Sequence, residues 1–161
     1  MANVVCELPW PPSANHAWRP TRAGGKILTD AYVLFKKQVG DYVLEHRIRR
    51  YWTKQPLAVA ILCRPPDRRA VDIDNRVKTL LDALASAGVI ENDKDVDLIV
   101  IARGPLDPPK GSVFVRIAER SSLTFGPDIG DVHWPGAFDT STNGANGPIV
   151  ERAPWLKDGV L

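Results

Sequence analysis

Acidic side chains are concentrated in one short segment, where an extended stretch gives way to a helical pattern. It contains Asp72, Asp74 and Asn75, with Lys78 one helical turn further on. Residues two apart in an extended stretch point the same way, and residues four apart share a helix face, so these groups can converge. Carboxylates about 4 Å apart repel by roughly 4 kcal/mol at an effective dielectric of 20, which a shared cation removes. Oxygen ligands without nearby histidine or cysteine favour Mg²⁺, with Mn²⁺ as a substitute, over zinc.

Such a site needs a third ligand, and the next acidic groups along the chain follow Gly88. Spacing leaves four candidates open there: Glu91, Asp93, Asp95 and Asp97. Asp82 is expected to be too far away to share the ion, because eight residues span about 12 Å of helix axis. A purely structural alternative makes Asp74 a helix N-cap that forms an ordinary surface ion pair with Lys78.

The elements that must position these groups follow from hydrophobic period. Apolar runs predict strands at residues 4–8, 57–63, 96–102 and 113–118, and helical spacing predicts helices at 29–50 and 75–87. Thr29 is the expected N-cap of the first helix, and Gly88 closes the second. Residues 13–28 are expected to form a long basic loop. The periodic residues of the first helix are Ala31, Leu34, Phe35, Gln38, Val39, Tyr42 and Val43.

The order β-α-β-α-β-β predicts an α+β two-layer sandwich, with two helices packed on a small mixed sheet. Residues 1–120 carry 19 basic and 14 acidic side chains, whereas residues 121–161 carry two and five. We therefore expect a basic domain over 1–120 that attracts polyanions, and a mobile Gly/Pro-rich acidic tail over 121–161. Trp134 and Trp155 are isolated aromatic residues in that tail.

The sequence gives no sign of export or membrane insertion. It has no basic leader before an apolar run, and no apolar run approaches the roughly 18 residues of a membrane span. Cys6 and Cys63 lie in strand-like runs of a chain large enough to fold without disulfides. We expect a cytoplasmic protein with two reduced core thiols and no membrane contact.

Several motifs, taken together, resemble the RusA family of Holliday junction resolvases. In chain order they are Leu8-Pro9-Trp10-Pro11-Pro12-Ser13 with Asn15, Pro66-Asp67-Arg68-Arg69, Asp72-Ile73-Asp74-Asn75, Lys78, Asp82-Ala83-Leu84, Gly88 and Asp93. The resemblance covers about residues 4 to 118. It implies a homodimer in which Asp72, Asp74 and Asp93 bind Mg²⁺ and Lys78 assists catalysis. One departure is that Ala70 and Val71 interrupt the basic run, which bears on DNA affinity and sequence preference.

The function implied by this resemblance is a Mg²⁺-dependent endonuclease that resolves four-way junctions and other branched DNA by paired symmetric nicks. The cations expected to contact phosphates are Arg68, Arg69, Arg19, Arg22, Lys26, Arg47, Arg49 and Arg50. One alternative is a DNA-binding or scaffold module that keeps the fold without cutting. Another is a phosphatase with Asp72 as nucleophile and Asp74 as general acid, although that chemistry normally opens a parallel sheet near the chain start.

Overall fold

Two helices and eight strands make up the computed structural model, which describes residues 4–48, 55–122, 124–125 and 132–133. In chain order they are β1 (Val4–Pro9), β2 (Trp18–Pro20), β3 (Lys26–Leu28), α1 (Asp30–Glu45), β4 (Leu57–Arg64), α2 (Asp74–Ser86), β5 (Val96–Arg103), β6 (Ser112–Glu119), β7 (Thr124–Phe125) and β8 (Val132–His133). Short 3₁₀ turns occupy Ala14–His16, Asp93–Asp95 and Arg120–Ser122.

The central sheet has four strands in the order β1-β6-β4-β5. Strand β6 is antiparallel to both β1 and β4, whereas β4 and β5 are parallel. Helix α2 connects these two parallel strands, which makes a strand-helix-strand unit. The predicted mixed sheet and α+β fold are confirmed, with the predicted order of the six main elements.

Both helices pack on the same face of the sheet. Along β4, Val59, Ile61 and Cys63 alternate toward this face, as the two-residue period of a strand requires. The other members of this core include Cys6, Leu8, Val113, Val115 and Ile117 from the sheet, Phe35, Val39 and Tyr42 from α1, and Leu80 and Leu84 from α2. The fold therefore has two layers, and the start of α2 lies near the carboxyl end of β4.

Helix α1 is shorter than predicted and buries a different stripe. It ends at Glu45 instead of Arg50, because Arg47 takes a left-handed backbone conformation with φ of 51°. The Ile48 amide then donates to the Val43 carbonyl at 2.9 Å, which closes the helix in a Schellman-type arrangement. Ala31 and Leu34 are exposed, and Tyr32 is buried in their place.

The predicted loop over residues 13–28 contains a β-hairpin formed by β2 and β3. Trp18 pairs with Leu28, Arg19 with Ile27 and Pro20 with Lys26. Thr29 holds the base of the hairpin, since its amide donates to the Ala17 carbonyl and its hydroxyl to the His16 carbonyl, both at 2.9 Å. Thr29 is the N-cap residue of α1, as predicted, but its hydroxyl is used on the hairpin and not on the helix.

Both cysteines are buried and free, as predicted, and burial raises the pKa of Cys6 to about 12. Across the described residues, no helix combines the length and the apolar character needed to cross a bilayer. Arg49, Arg50, Trp134 and Trp155, and most of the 121–161 segment, lie outside the described residues.

Candidate active site

The start of α2 is fixed by contacts to two other parts of the chain, the segment after β1 and the end of β5. Arg76 donates from Nη1 to the Pro11 carbonyl at 2.8 Å, and its guanidinium lies 5.4 Å from the centre of the Trp10 ring. Just before the helix, the Val71 carbonyl accepts a 2.6 Å hydrogen bond from Arg103 Nη2 at the end of β5. The segment that carries Asp72 and Asp74 is thereby held at the carboxyl edge of the sheet.

Neither part of the structural alternative for Asp74, a helix N-cap and an ion pair with Lys78, is correct. Ile73 is the N-cap residue of α2, its side chain makes no capping hydrogen bond, and Asp74 is the first residue of the helix. Asp74 and Lys78 are both exposed, and no ion pair within the described residues joins them to each other or to another group. Asp72 accepts one long hydrogen bond, 3.3 Å, from Asn75 Nδ2. Neither carboxylate is therefore explained by a capping hydrogen bond or by a salt bridge within the described residues.

An open cavity of about 320 Å³ lies beside this end of α2. Asp74, Lys78 and Asp82 line it from the helix, and Asn15 and Trp18 line it from the segment after β1. The carboxylate of Asp74 and the ammonium group of Lys78 therefore line the same cavity. This combination suits a phosphodiester, whose oxygens need both a metal ion and a cation.

Asp82 lines this cavity as well, although its spacing from Asp74 predicted that it would be too far away to share an ion with it. The Tyr32 hydroxyl on α1 donates to Asp82 Oδ2 at 2.5 Å, and this contact raises the pKa of Tyr32 after the larger effect of burial. The hydrogen bond joins the two helices across the cavity floor. Asp82 is therefore a positioned carboxylate with one oxygen already committed to the tyrosine.

Asp93 lies at the other end of the strand-helix-strand unit. It begins the 3₁₀ turn just before β5, whose first residue Val96 pairs with Leu57 at the amino end of β4. Asp74 begins α2 near the carboxyl end of β4, and the helix is 13 residues long, roughly 20 Å at 1.5 Å per residue. Among the described residues, no three carboxylate, histidine or cysteine side chains come together as a metal-holding group. Asp93 therefore lies away from the start of α2, where Asp72 and Asp74 are found.

The predicted phosphate-binding cations divide between two edges of the molecule. Arg68 is exposed and has no ion pair in the described part of the chain, whereas Arg69 donates to Asp67 Oδ2 at 2.6 and 3.0 Å. Those hydrogen bonds hold the pKa of Asp67 below its ordinary value. The hairpin cations Arg19, Arg22 and Lys26 are exposed near the cavity. Arg47 follows the far end of α1, roughly 24 Å along that helix.

A buried polar network supports the loop that leads into the site. Arg64, the last residue of β4, donates to Glu7 Oε1 at 3.1 Å. The Ser112 hydroxyl donates to Asp107 Oδ2 at 2.6 Å and lies 3.3 Å from the same Glu7 oxygen. Gly111 has a φ of +72°, and a Cβ there would lie 2.7 Å from Pro66 Cδ. The backbone at Gly111 therefore passes Pro66 at a distance that only glycine allows. This close contact fixes the start of the loop that leads from β4 to α2.

The family model for the endodeoxyribonuclease RusA matches residues 9–118 of this chain. The chain belongs to the RusA family. The crossover junction endodeoxyribonuclease of Enterobacteria phage HK97 is 34% identical over 116 residues, which cover 72% of this chain and 94% of that protein. The proteins of the same name from Escherichia coli K12 and Enterobacteria phage 82 are 32% and 33% identical over 89 residues, which cover 55% of this chain and 72% of each relative.

RusA-family membership confirms the resemblance found in the motifs and identifies the chain as an endodeoxyribonuclease. The phosphatase alternative is therefore wrong. The matched range contains the whole cavity wall, from Ala14 to Asp82, and ends before the tail. Of the cavity-lining residues, Asp74 and Lys78 were predicted from the motifs, whereas Trp18 was not, because its only signal was an aromatic residue inside a basic loop.

Proposed function

We propose that this RusA-family nuclease is Mg²⁺-dependent and structure-selective, and that it resolves four-way junctions and other branched DNA by paired symmetric nicks. The observation that carries the proposal is the cavity at the start of α2, where an uncapped Asp74 and Lys78 face one space. The relatives are crossover junction endodeoxyribonucleases by name, which agrees with this substrate. Acting on recombining DNA would place the protein in the cytoplasm.

The carboxylates of Asp72 and Asp74 fit a hard cation such as Mg²⁺, or Mn²⁺ in its place, because they offer oxygen ligands that form no salt bridge within the described residues. When bound, the ion would polarise the scissile phosphate and lower the pKa of an attacking water. Lys78 then offsets negative charge that develops on the phosphate oxygens. The water oxygen bonds to phosphorus as the bond to the 3′ oxygen breaks, which leaves a 5′-phosphate and a 3′-hydroxyl.

The third ligand, in this proposal, is Asp93 of the partner subunit in a homodimer. Asp93 precedes the amino end of β5 and Asp74 follows the carboxyl end of β4, so a single copy would not bring both to one ion. A two-fold dimer that apposes opposite edges would complete two equal sites. A four-way junction offers two symmetric strands to such a pair, and paired nicks follow from the symmetry.

A labelled four-way junction incubated with the protein and Mg²⁺ tests the proposal. We expect two symmetric nicks that can be religated, because they carry 5′-phosphates and 3′-hydroxyls, and a linear duplex of the same sequence should stay intact. Tight binding without nicks would instead support a non-catalytic DNA-binding module of the same fold.

The salt dependence of junction binding tests the role of the exposed arginines. Each phosphate contact that is lost should reduce the slope of log affinity against log salt by about one unit. Arg68→Ala should therefore flatten the slope by about one, and Arg68→Ala with Arg69→Ala by up to about two, as measured by fluorescence anisotropy. Arg47→Ala is the matched comparison from the far edge. If only the Arg47 variant changes the slope, the DNA lies on the opposite side of the molecule.

We further propose that residues 1–120 form the nuclease domain and that residues 121–161 are dispensable for cutting. The Arg120 amide donates to the Pro56 carbonyl at 2.8 Å, a contact that closes the end of β6. A chain truncated after Arg120 should cleave the junction at the rate of the full chain and show a cooperative thermal transition. Precipitation or loss of cleavage would mean that tail residues such as Trp134 or Trp155 belong to the core or the dimer.

A further inference from the structure

Trp18 is a large apolar side chain displayed on the wall of the cavity. It is 58% exposed, and within the described residues its ring has no aromatic or cation-π partner. Trp10, by comparison, packs on the main core and lies against Arg76. Trp10 therefore has a structural role, whereas no packing contact within the described residues accounts for the exposed ring of Trp18.

The hairpin fixes the position of Trp18 with respect to the cavity. Its base is held by the two hydrogen bonds of Thr29. At its tip, the Thr21 amide donates to the Gly25 carbonyl at 2.8 Å, and the Thr21 hydroxyl accepts from the Gly25 amide at 3.0 Å. A ring on a short braced hairpin loses little conformational freedom on binding, which favours its use as a contact surface.

The surroundings of the ring favour a nucleic acid as its partner. Residues 18–28 carry Arg19, Arg22 and Lys26 and no acidic residue. Arg19 Nη2 lies 3.8 Å from Oδ1 of the exposed Asp30, whereas Arg22 and Lys26 have no ion pair within the described residues, so the hairpin attracts phosphates. Across the cavity, Lys78 stands without an ion pair in the described structure. An aromatic face between cations is the arrangement that binds unpaired bases, in which the ring stacks on a base and the cations follow the backbone.

We infer that Trp18 stacks on a nucleobase that is unpaired or unstacked at the branch point, and thereby makes this nuclease prefer branched over linear DNA. The inference rests on the proposed function and names how its substrate is recognised. In an intact duplex every base is stacked between neighbours, so Trp18 finds no free base face there. At a branch the stacking is interrupted, and the cavity admits the exposed base beside Asp74 and Lys78.

Binding measurements with variants at Trp18 test this inference, in Ca²⁺ so that cleavage does not interfere. Trp18→Ala should weaken junction binding by roughly 5- to 150-fold, the range found for loss of one stacked base, and change linear-duplex binding by less than about twofold. Trp18→Phe should retain most of the preference because it keeps an aromatic face. Ile27→Ala is the matched control, since Ile27 is also exposed on the hairpin but does not line the cavity.

Photocrosslinking identifies the contact directly. A junction with 5-iodouracil at the branch should crosslink to the peptide that contains Trp18, and the same base in the middle of an arm should not. Trp18→Ala should lose this crosslink, whereas Ile27→Ala should keep it. Thermal melting of each variant reports whether the hairpin change has unfolded the domain, and Trp18→Phe covers the case in which Trp18→Ala does not fold.

Two results overturn the inference while the proposed function stands: wild type cuts junctions but Trp18→Ala keeps the full preference, or Trp18→Ala weakens junction and duplex binding equally. The second result would mean that Trp18 contacts DNA of any structure or contacts another protein chain. A lower mass of Trp18→Ala in analytical ultracentrifugation would show that the contact is with a second copy of this chain. If the wild type binds junctions selectively through Trp18 but never nicks them, the proposed cleavage is wrong and the inference on Trp18 stands. A wild type without any junction preference would remove both.

Discussion

Asp74→Asn is expected to abolish junction cleavage while leaving folding and DNA binding intact. The substitution keeps the shape of the side chain, and Asp74 makes no capping hydrogen bond whose loss would weaken α2. It removes one negative charge from the ligand set, so Mg²⁺ affinity and water activation should fall. Even outer-shell partners of a metal are worth 10- to 100-fold, so we expect a loss of roughly 100-fold or more in single-turnover rate. Junction binding in a gel shift should be equal or stronger, because the surface is less negative.

The same result is expected for Asp72→Asn and for Asp93→Asn. Asp41→Asn is the matched control, because Asp41 is an exposed aspartate on α1 paired with Lys37, and this variant should cut at the wild-type rate. Asp82→Asn should also cut, since Asp82 is held by Tyr32 and is not one of the proposed ligands. An inactive Asp82→Asn together with an active Asp93→Asn would make Asp82 the third ligand and remove the need for a partner's carboxylate.

Lys78→Ala should slow cleavage by roughly 100- to 1,000-fold, the range seen when one preorganised stabilising group is removed from a site where charge develops. Lys78 is exposed and has no ion pair in the described residues, so the variant should melt like wild type. A Mg²⁺ titration separates this role from that of Asp74. The concentration for half-maximal rate should stay the same in Lys78→Ala and rise in Asp74→Asn, because the lysine is not a ligand.

Lys110→Ala is the comparison for charge alone, since Lys110 is an exposed lysine outside the cavity. It should cut normally in the same assay. A Lys78→Ala variant that cuts within about threefold of wild type would show that the ammonium group has no part in the reaction.

The features that were predictable from sequence are those set by local physical rules. Helix α2 was found because its apolar residues repeat at helical spacing, and Gly88 was expected to close it, as its φ of +75° confirms. The strands of the central sheet were found because their apolar runs are long. The end of α1 was missed because its left-handed residue is Arg47, where sequence rules expect glycine or asparagine.

The features that were missed depend on which distant elements meet. The hairpin of β2 and β3 has only three residue pairs and is held by Thr29. Strands this short have no long alternation of apolar and polar residues from which they could be predicted. Asp82 reaches the cavity opposite Tyr32, a residue 50 positions earlier in the chain. The remote position of Asp93 follows from the parallel pairing of β4 with β5, because spacing gives distance along the chain but not the edge of the sheet at which a residue lies.

The buried network below the loop also has a consequence for when the nuclease becomes active. Glu7 and Ser112 approach each other across 105 positions of chain, and Arg64 at the end of β4 forms ion pairs with both Glu7 and Asp107. Contacts at such separation form late in folding, because the cost of closing the loop must be met first. A nascent chain that has exposed α2 but not yet β6 lacks this support. The DNA-cutting site should therefore mature only after β6 has been synthesised, which limits nicking by chains that lack this strand.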